Sequence, residues 1–263
     1  MSKKRARTSK KQVAVEPSDK AMTLVEHLIE LKRRVLIVLG VWLIAVCVCY
    51  FYSQQIYQFL VHPLADIYAG QDRRLIYTGL TEAFFTYLQL AMFAGFVITF
   101  PVFAFQLYFF LAPGLYKHER AFLLPVLTLS PILFLMGAAL VYYFVFPVAW
   151  RFFSGFETLG VPGSMPIQLE ARVSEYLSLV TTLIIAFGLA FQLPVALMLL
   201  AKVGVVTPEL LKKSRRYAIV LIFIVAGVLT PPDVISQIGL AIPLLILYEF
   251  SIFLCRYVQT NKK

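Results

Sequence analysis

Five stretches of this chain are apolar over nearly the full thickness of a lipid bilayer: residues 35–51, 86–111, 121–146, 176–201 and 234–254. A hydrocarbon core about 30 Å deep takes about 20 residues of helix to cross, so each of these is read as a membrane span. A sixth stretch, 217–229, is shorter. Its 13 residues cover about 20 Å as a helix, so it must draw in flanking residues, thin the bilayer or lie against other helices. With 60% hydrophobic residues, 14% charged residues and a mean hydropathy of +0.80, an ordinary soluble domain is excluded. The expected fold class is an all-α membrane protein of six transmembrane helices. Pro101, Pro125, Pro131, Pro194 and Pro243 lie inside the spans. Each removes a backbone donor, so kinked helices packed into a concave bundle are expected. No internal repeat is evident.

The Lys and Arg residues give the orientation. Twenty of the 24 fall in the first, third, fifth and seventh polar segments along the chain, and four in the segments between them. Basic residues collect on the cytoplasmic side, which predicts that both termini are cytoplasmic and that the long loops 53–85 and 147–175 face outward. The net charge of +10 therefore reads as topology and headgroup contact, with no nucleic-acid role. Residues 1–21 are expected to be a disordered basic tail, 22–258 a single six-span domain and 259–263 a short tail. No cleavable signal precedes the first span, which is expected to remain as an anchor. Cys47, Cys49 and Cys255 lie in apolar stretches without metal-ligand spacing and are read as small apolar fillers. No metal or cofactor is expected.

Just before the first span, TLVEHLIELKRRV opens with Thr23 and Glu26 at capping-box spacing. Leu24, Leu28, Leu31 and Val35 then fall on one face, which predicts an amphipathic helix on the membrane surface that feeds the span. Glu30 lies beyond the cap. It either pairs with Arg33 or Arg34, which is worth about 0.2–0.5 kcal/mol, or stands ready for an incoming cation. The turn LAPGLYKHER between spans two and three carries Lys117, His118, Glu119 and Arg120. Here Glu119 is either a loop salt bridge to Lys117 or Arg120, or a second such acceptor.

Gln192 lies at depth in span four, two residues before Pro194. A buried amide is costly unless hydrogen-bonded, so it either ties helices together within this chain or faces a polar cavity or partner helix. Asp233, after Pro231 and Pro232 at the outer start of span six, suits a helix cap. Glu249 is expected to reach toward the surface or pair with Arg256. Pro63 bends the first outer loop, which looks partly helical and lid-like. His62 beside it has no evident acidic neighbour. Tyr142, Tyr143 and Trp150 bracket the outer end of span three, as an interfacial aromatic belt does.

The segments HLIELKRR, LAPGLYKHER, FGLAFQLPV and LTPPDVISQ, in this order and with six spans, closely resemble the TatC family, the polytopic receptor subunit of the twin-arginine protein translocase. The resemblance covers about residues 22–258. It implies a protein of the bacterial cytoplasmic membrane that recognises the Arg-Arg signal peptides of folded cargo. It also implies assembly, in several copies, with single-span partners of the TatA and TatB kinds, and transport driven by the proton-motive force without nucleotide. It places Glu30 and Glu119 at the twin-arginine site, with Lys32, Lys117, His118 and Arg120 around them. A carboxylate suits a planar, always-charged guanidinium, which it can hold through two parallel hydrogen bonds. Gln192 is implied to face the partner's span, and the Pro231–Pro232–Asp233 turn and the Pro63 lid to be functionally sensitive. Two departures stand out. Lys32 replaces an Arg common in relatives and loses the fork, and Gln192 replaces a frequent Glu and has no proton to exchange.

Two other classes fare worse. A secondary small-solute transporter needs ion-coupling charges at the midplane, and an intramembrane enzyme needs paired Asp, HExxH or Ser-His arrangements at depth. Neither pattern occurs, so no enzymatic activity is expected.

Overall fold

The computed structural model describes residues 24–69, 73–112, 117–158, 165, 167–229 and 234–260. Thr23, Pro231, Pro232, Asp233, the N-terminal tail and residues 261–263 lie outside them, while residues 259 and 260 of the expected C-terminal tail continue the last helix. Helix α1 (Leu24–Phe51) runs through both the expected surface helix and the first span without a break. Its 28 residues span about 42 Å, more than the hydrocarbon core. The separate surface helix is therefore corrected. LKRRV contains neither Gly nor Pro, so nothing in the sequence bends the helix at its polar–apolar boundary.

The segment between the first two spans holds helix α2 (Ser53–Ile67). Pro63 is buried inside it rather than at a turn. Its missing N–H leaves the Phe59 carbonyl without a helical donor, and the Tyr142 hydroxyl fills that vacancy at 2.7 Å while its ring stacks on Phe59 at 4.6 Å. Tyr176 donates to the next carbonyl, Leu60, at 2.8 Å. Two tyrosines from spans three and four thus pin α2 where its proline weakened it. Tyr142→Phe should destabilise the protein by about 1 kcal/mol. The loss should shrink in a Pro63→Ala background, where the alanine supplies its own N–H. Thermal unfolding of the four variants checks this, and equal losses in both backgrounds would rule the pairing out.

Helix α3 (Glu82–Leu111) is the second span. The third combines α4 (Lys117–Leu140), a π turn (Val141–Val145) and α5 (Phe146–Ser154). Pro147 cannot donate to the Tyr143 carbonyl, and the ladder widens there, with the Phe146 N–H reaching Val141. The helix continues instead of ending near 146, and it turns Trp150 inward. Trp150 is buried against Phe146 and Tyr176 at 5.8 and 5.3 Å, so its expected place in an interfacial belt is corrected. Tyr143 alone of the three is well exposed.

Span four is two helices, α6 (Val173–Ala190) and α7 (Leu193–Val203), broken at Phe191 and Gln192 because Pro194 cannot bond the Ala190 carbonyl. It ends at Gly204, whose φ of +90° suits glycine. The short α8 (Pro208–Lys213) is capped by Thr207, which accepts from the Leu210 N–H at 3.2 Å. Helices α9 (Arg215–Leu229) and α10 (Val234–Thr260) complete the six-span bundle. Five of the spans have full membrane length. The 15 residues of α9 reach only about 22 Å.

Neighbours in the bundle are α1 on α3, α3 on α4, α4 on α6, and α10 on both α7 and α9. Phe134, Phe146, Phe187, Leu90, Leu123 and Leu240 are fully buried at its centre. Most of α1 and α9 presents bare apolar side chains outward, as a lipid-facing surface does. Cys49 and Cys255 are buried fillers, while Cys47 points away from the bundle.

Candidate functional site

On α1, His27, Glu30 and Arg34 recur at helical spacing and face the last turns of α3. His27 stacks on Phe110 with ring centroids 4.3 Å apart. Arg34 donates to Glu30 Oε1 at 2.9 Å through Nη2 and to Gln106 Oε1 at 3.1 Å through Nη1, and its guanidinium lies 5.1 Å from the Phe109 ring centroid. The intrahelical ion pair is therefore formed, at i,i+4 to Arg34 rather than to Arg33. It is one-armed. Glu30 Oε2 and Arg34 Nε are both buried without a hydrogen-bond partner among the described residues, although the Glu30 side chain is only 15% exposed. A carboxylate oxygen withheld from water and left empty is costly, and an arriving N–H donor removes that cost. Gln106, which holds Arg34 in place, was not singled out in the sequence because its partner lies 72 residues away. Lys32 and Arg33 are exposed, off this face.

Lys117, His118, Glu119 and Arg120 are the first turn of α4, not a loop frame. The helix begins at Lys117, and the acidic Glu119 in its first turn suits the helix N-terminus. The placement of these four side chains lies outside the described residues. Chain connectivity sets this turn at the same end of the bundle as His27, Glu30 and Arg34, because α3 ends there. This is the basic end.

In the bundle interior, Gln192 is clasped to span three. The Ser130 hydroxyl donates to its Oε1 at 2.6 Å, and its Nε2 donates to the Ser130 carbonyl at 3.0 Å and more weakly to Gly188 at 3.4 Å. Of the two readings, the tie within this chain has direct geometric support. The clasp needs one acceptor and one donor. Gln192→Leu should cost about 1–3 kcal/mol in unfolding. Gln192→Glu keeps the clasp only with its acid protonated, because a carboxylate cannot donate to Ser130. The folded form then holds a proton that the unfolded form releases, so stability of that variant should fall as pH rises while the parent stays flat. Thermal scans across pH check the sign.

At the opposite end of the bundle, two carboxylates that the sequence did not single out join the segments between spans. Glu82, at the start of α3, accepts from the Thr78 and Gly79 N–H groups at 2.9 and 3.1 Å, from Ser174 at 2.5 Å and from Arg172 at 3.2 Å. Its hydrogen bond and charge raise the Arg172 guanidinium above the ordinary range. Glu157 accepts from Arg73 at 2.8 Å, Tyr68 at 3.2 Å and the Leu169 N–H at 2.9 Å. Burial, then the Glu157 charge, pushes the Tyr68 phenol up. His62 does have an acidic neighbour: Asp66, one helical turn on, lies 2.9 Å away. Glu249 pairs with Arg215 of α9 at 2.7 Å, not with Arg256. Seven residues along one helix put Arg256 about 10 Å off, while the start of α9 lies alongside. Among the described residues, no three His, Cys, Asp or Glu side chains gather as a metal site.

Comparison with known proteins gives a consistent result. The family model described as TatC, Sec-independent protein translocase protein, matches residues 26–243. A Sec-independent protein translocase protein TatC of Rickettsia prowazekii (strain Madrid E) is 50% identical over 237 residues, covering 90% of this chain and 94% of the relative. The protein of that name from Escherichia coli (strain K12) is 39% identical over 89% of this chain and 88% of its own. A crystal structure of the twin-arginine translocase receptor TatC superposes with a TM-score of 0.74 at 36% identity, covering 89% of this chain and all of that one.

Proposed function

The chain belongs to the TatC family of Sec-independent protein translocase proteins, and from that premise we propose that its basic end is the receptor for Arg-Arg signal peptides, with Glu30 as one guanidinium acceptor and Glu119 as the other. It is a multi-pass subunit of a translocase, so its binding partner is a protein segment and not a small solute. The observation that carries the reading is the second oxygen of Glu30, buried and unpartnered beside Arg34. Arg34 uses only one oxygen, and the other is left for a peptide guanidinium. Glu119, in the first turn of α4, would take the second arginine of the pair, with Lys117, His118 and Arg120 around it. Lys32, exposed and off the Glu30 face, is then a general cation near the site and not a ligand in it.

In this reading both termini are cytoplasmic, which rests on the Lys and Arg distribution. The membrane is the bacterial inner membrane. The partners are other Tat components, specifically single-span proteins of the TatA and TatB kinds, and the receptor works in several copies powered by the proton-motive force. Gln192 stands near a break in span four that a partner helix could meet. Pro63 and the Pro231–Pro232–Asp233 turn act through geometry.

The test is binding of a labelled Arg-Arg signal peptide to the purified chain in nanodiscs, against the same peptide with Lys-Lys. The Lys-Lys peptide should bind at least about tenfold less well, the order of one lost bidentate contact. Equal binding of the two would remove guanidinium recognition from the account.

A further inference from the structure

Glu30 and Arg34 stand one helical turn apart on α1 with the carboxylate on the N-terminal side, the order in which such a pair closes most readily. An unhindered guanidinium takes a carboxylate side-on: its Nε–H and the neighbouring Nη2–H each reach one oxygen, and the fork is complete. Here only half of the fork exists. Nη2 donates to Glu30 Oε1 at 2.9 Å. The two atoms that the other half would join, Arg34 Nε and Glu30 Oε2, are both buried and without partners among the described residues. A donor and an acceptor left empty on one ion pair are costly, and closing the fork would satisfy both. Something outside α1 holds it open.

The hold comes from α3, which packs along α1. Gln106 Oε1 accepts from Nη1 at 3.1 Å, the one nitrogen that a side-on fork leaves out. The Phe109 ring, on the same helix, lies 5.1 Å from the centre of the guanidinium. The planar group is thus shared between two helices, and its Nε–H does not reach Oε2. A neutral amide suits this task, because it binds Arg34 without adding a second negative charge that would itself attract the peptide.

We infer that Gln106 is a positioning residue for the peptide site: by drawing Arg34 toward α3 it stops Arg34 from closing on Glu30 and keeps Oε2 vacant. This rests on the reading of Glu30 as a guanidinium acceptor and supplies the reason that its second oxygen is empty. Gln106 acts only through Arg34 and touches no ligand.

The test uses the full chain in nanodiscs. Gln106→Met keeps the length and the stem of the side chain but removes the carbonyl oxygen, and Gln106→Leu serves the same purpose should that variant fail to fold. Without peptide, Arg34 should turn onto Glu30 and complete the fork. Solid-state NMR on isotope-labelled arginine and glutamate then reads a shorter distance from Arg34 Nε to the Glu30 carboxyl carbon, the signal being assigned by its loss in Arg34→Gln. Affinity for the Arg-Arg peptide should fall about tenfold, the order of one charge-assisted hydrogen bond. In an Arg34→Gln background the same substitution should change affinity less than about twofold, since no guanidinium remains to close. A direct contact with the peptide, or a role in folding alone, would persist in that background. Gln106→Glu keeps the acceptor and should hold parental affinity or better. A fork that stays open in Gln106→Met, equal losses with and without Arg34, or a loss in Gln106→Glu as large as in Gln106→Met would overturn the inference and leave the Glu30 reading standing. A fork that closes while Arg-Arg affinity holds would overturn both, because the peptide would then not be using Glu30.

Discussion

Glu30→Gln should weaken binding of an Arg-Arg signal peptide by on the order of 30-fold, about 2 kcal/mol, the lower end of what truncating one partner of a part-buried charged pair costs. The amide keeps the shape and one acceptor but loses the charge and the ability to take two guanidinium N–H groups in parallel. Two features make the expected effect large. The Glu30 side chain is 15% exposed, so water screens the lost contact little, and its second oxygen has no competing partner among the described residues. The same change also frees Arg34, which could disturb the fold. Thermal stability is therefore measured beside affinity, and an Arg34→Gln variant separates the two causes. If recognition runs through Glu30, Arg34→Gln should leave peptide binding intact or tighten it, because a competitor for the carboxylate is gone. The Lys-Lys peptide should respond to Glu30→Gln much less than the Arg-Arg peptide. Unchanged Arg-Arg affinity in Glu30→Gln, measured by fluorescence anisotropy in nanodiscs, would move the site elsewhere on the basic end.

Gly188→Val should be the most damaging single change in the bundle, at more than about 3 kcal/mol, the upper end of ordinary overpacking. Even the Cβ alone would overlap Phe134 Cε2 and sit 2.7 Å from two further ring atoms. Phe134 has nowhere to go, since it is fully buried and stacked on Phe100 at 4.2 Å. Across the same seam, a Cβ at Gly137 would lie 2.7 Å from the Phe187 carbonyl oxygen, so the α4 and α6 backbones approach closely in both directions. Small residues at such a seam are how membrane helices gain packing when hydrophobic burial no longer distinguishes protein from lipid. The variant should still insert, because span hydropathy is not lowered, yet fail to hold α4 against α6. Protease resistance and thermal unfolding in detergent report that failure. Phe134→Ala should partly rescue Gly188→Val, with a coupling of about 1–3 kcal/mol in the double-mutant cycle. Strict additivity would assign the damage to another cause.

The two outcomes draw on features of different legibility. Glu30 could be picked out from the sequence because helix spacing sets it one turn before Arg34 at the polar edge of a span, and both of its readings were available there. Glu119 stood out through its place in LAPGLYKHER, but the sequence put it in a loop and the structure puts it in the first turn of α4. Gln106, Glu82 and Glu157 carried no local signal, since each acts on residues far along the chain. Proline was informative to different degrees. Pro194 marked a real break in span four. Pro63 sits within a helix because a tyrosine hydroxyl replaces its missing donor, and Pro147 widens a turn instead of ending one.

What the sequence by itself determined is the number of spans and the distribution of charge between their ends. Both follow from contiguous residues, because the bilayer acts on the chain as a slab of fixed thickness and reads hydropathy one segment at a time. Only the tertiary structure decided which polar groups are satisfied and which are left waiting. Arg34 reaches Gln106 across 72 residues and Arg172 reaches Glu82 across 90, and such meetings exist only once the helices have packed, with glycines such as Gly95 and Gly188 at their close approaches. The vacant oxygen of Glu30 and the clasp on Gln192 both come from that packing. Hydropathy is summed along a chain, whereas the geometry of a hydrogen bond exists only between helices already in place.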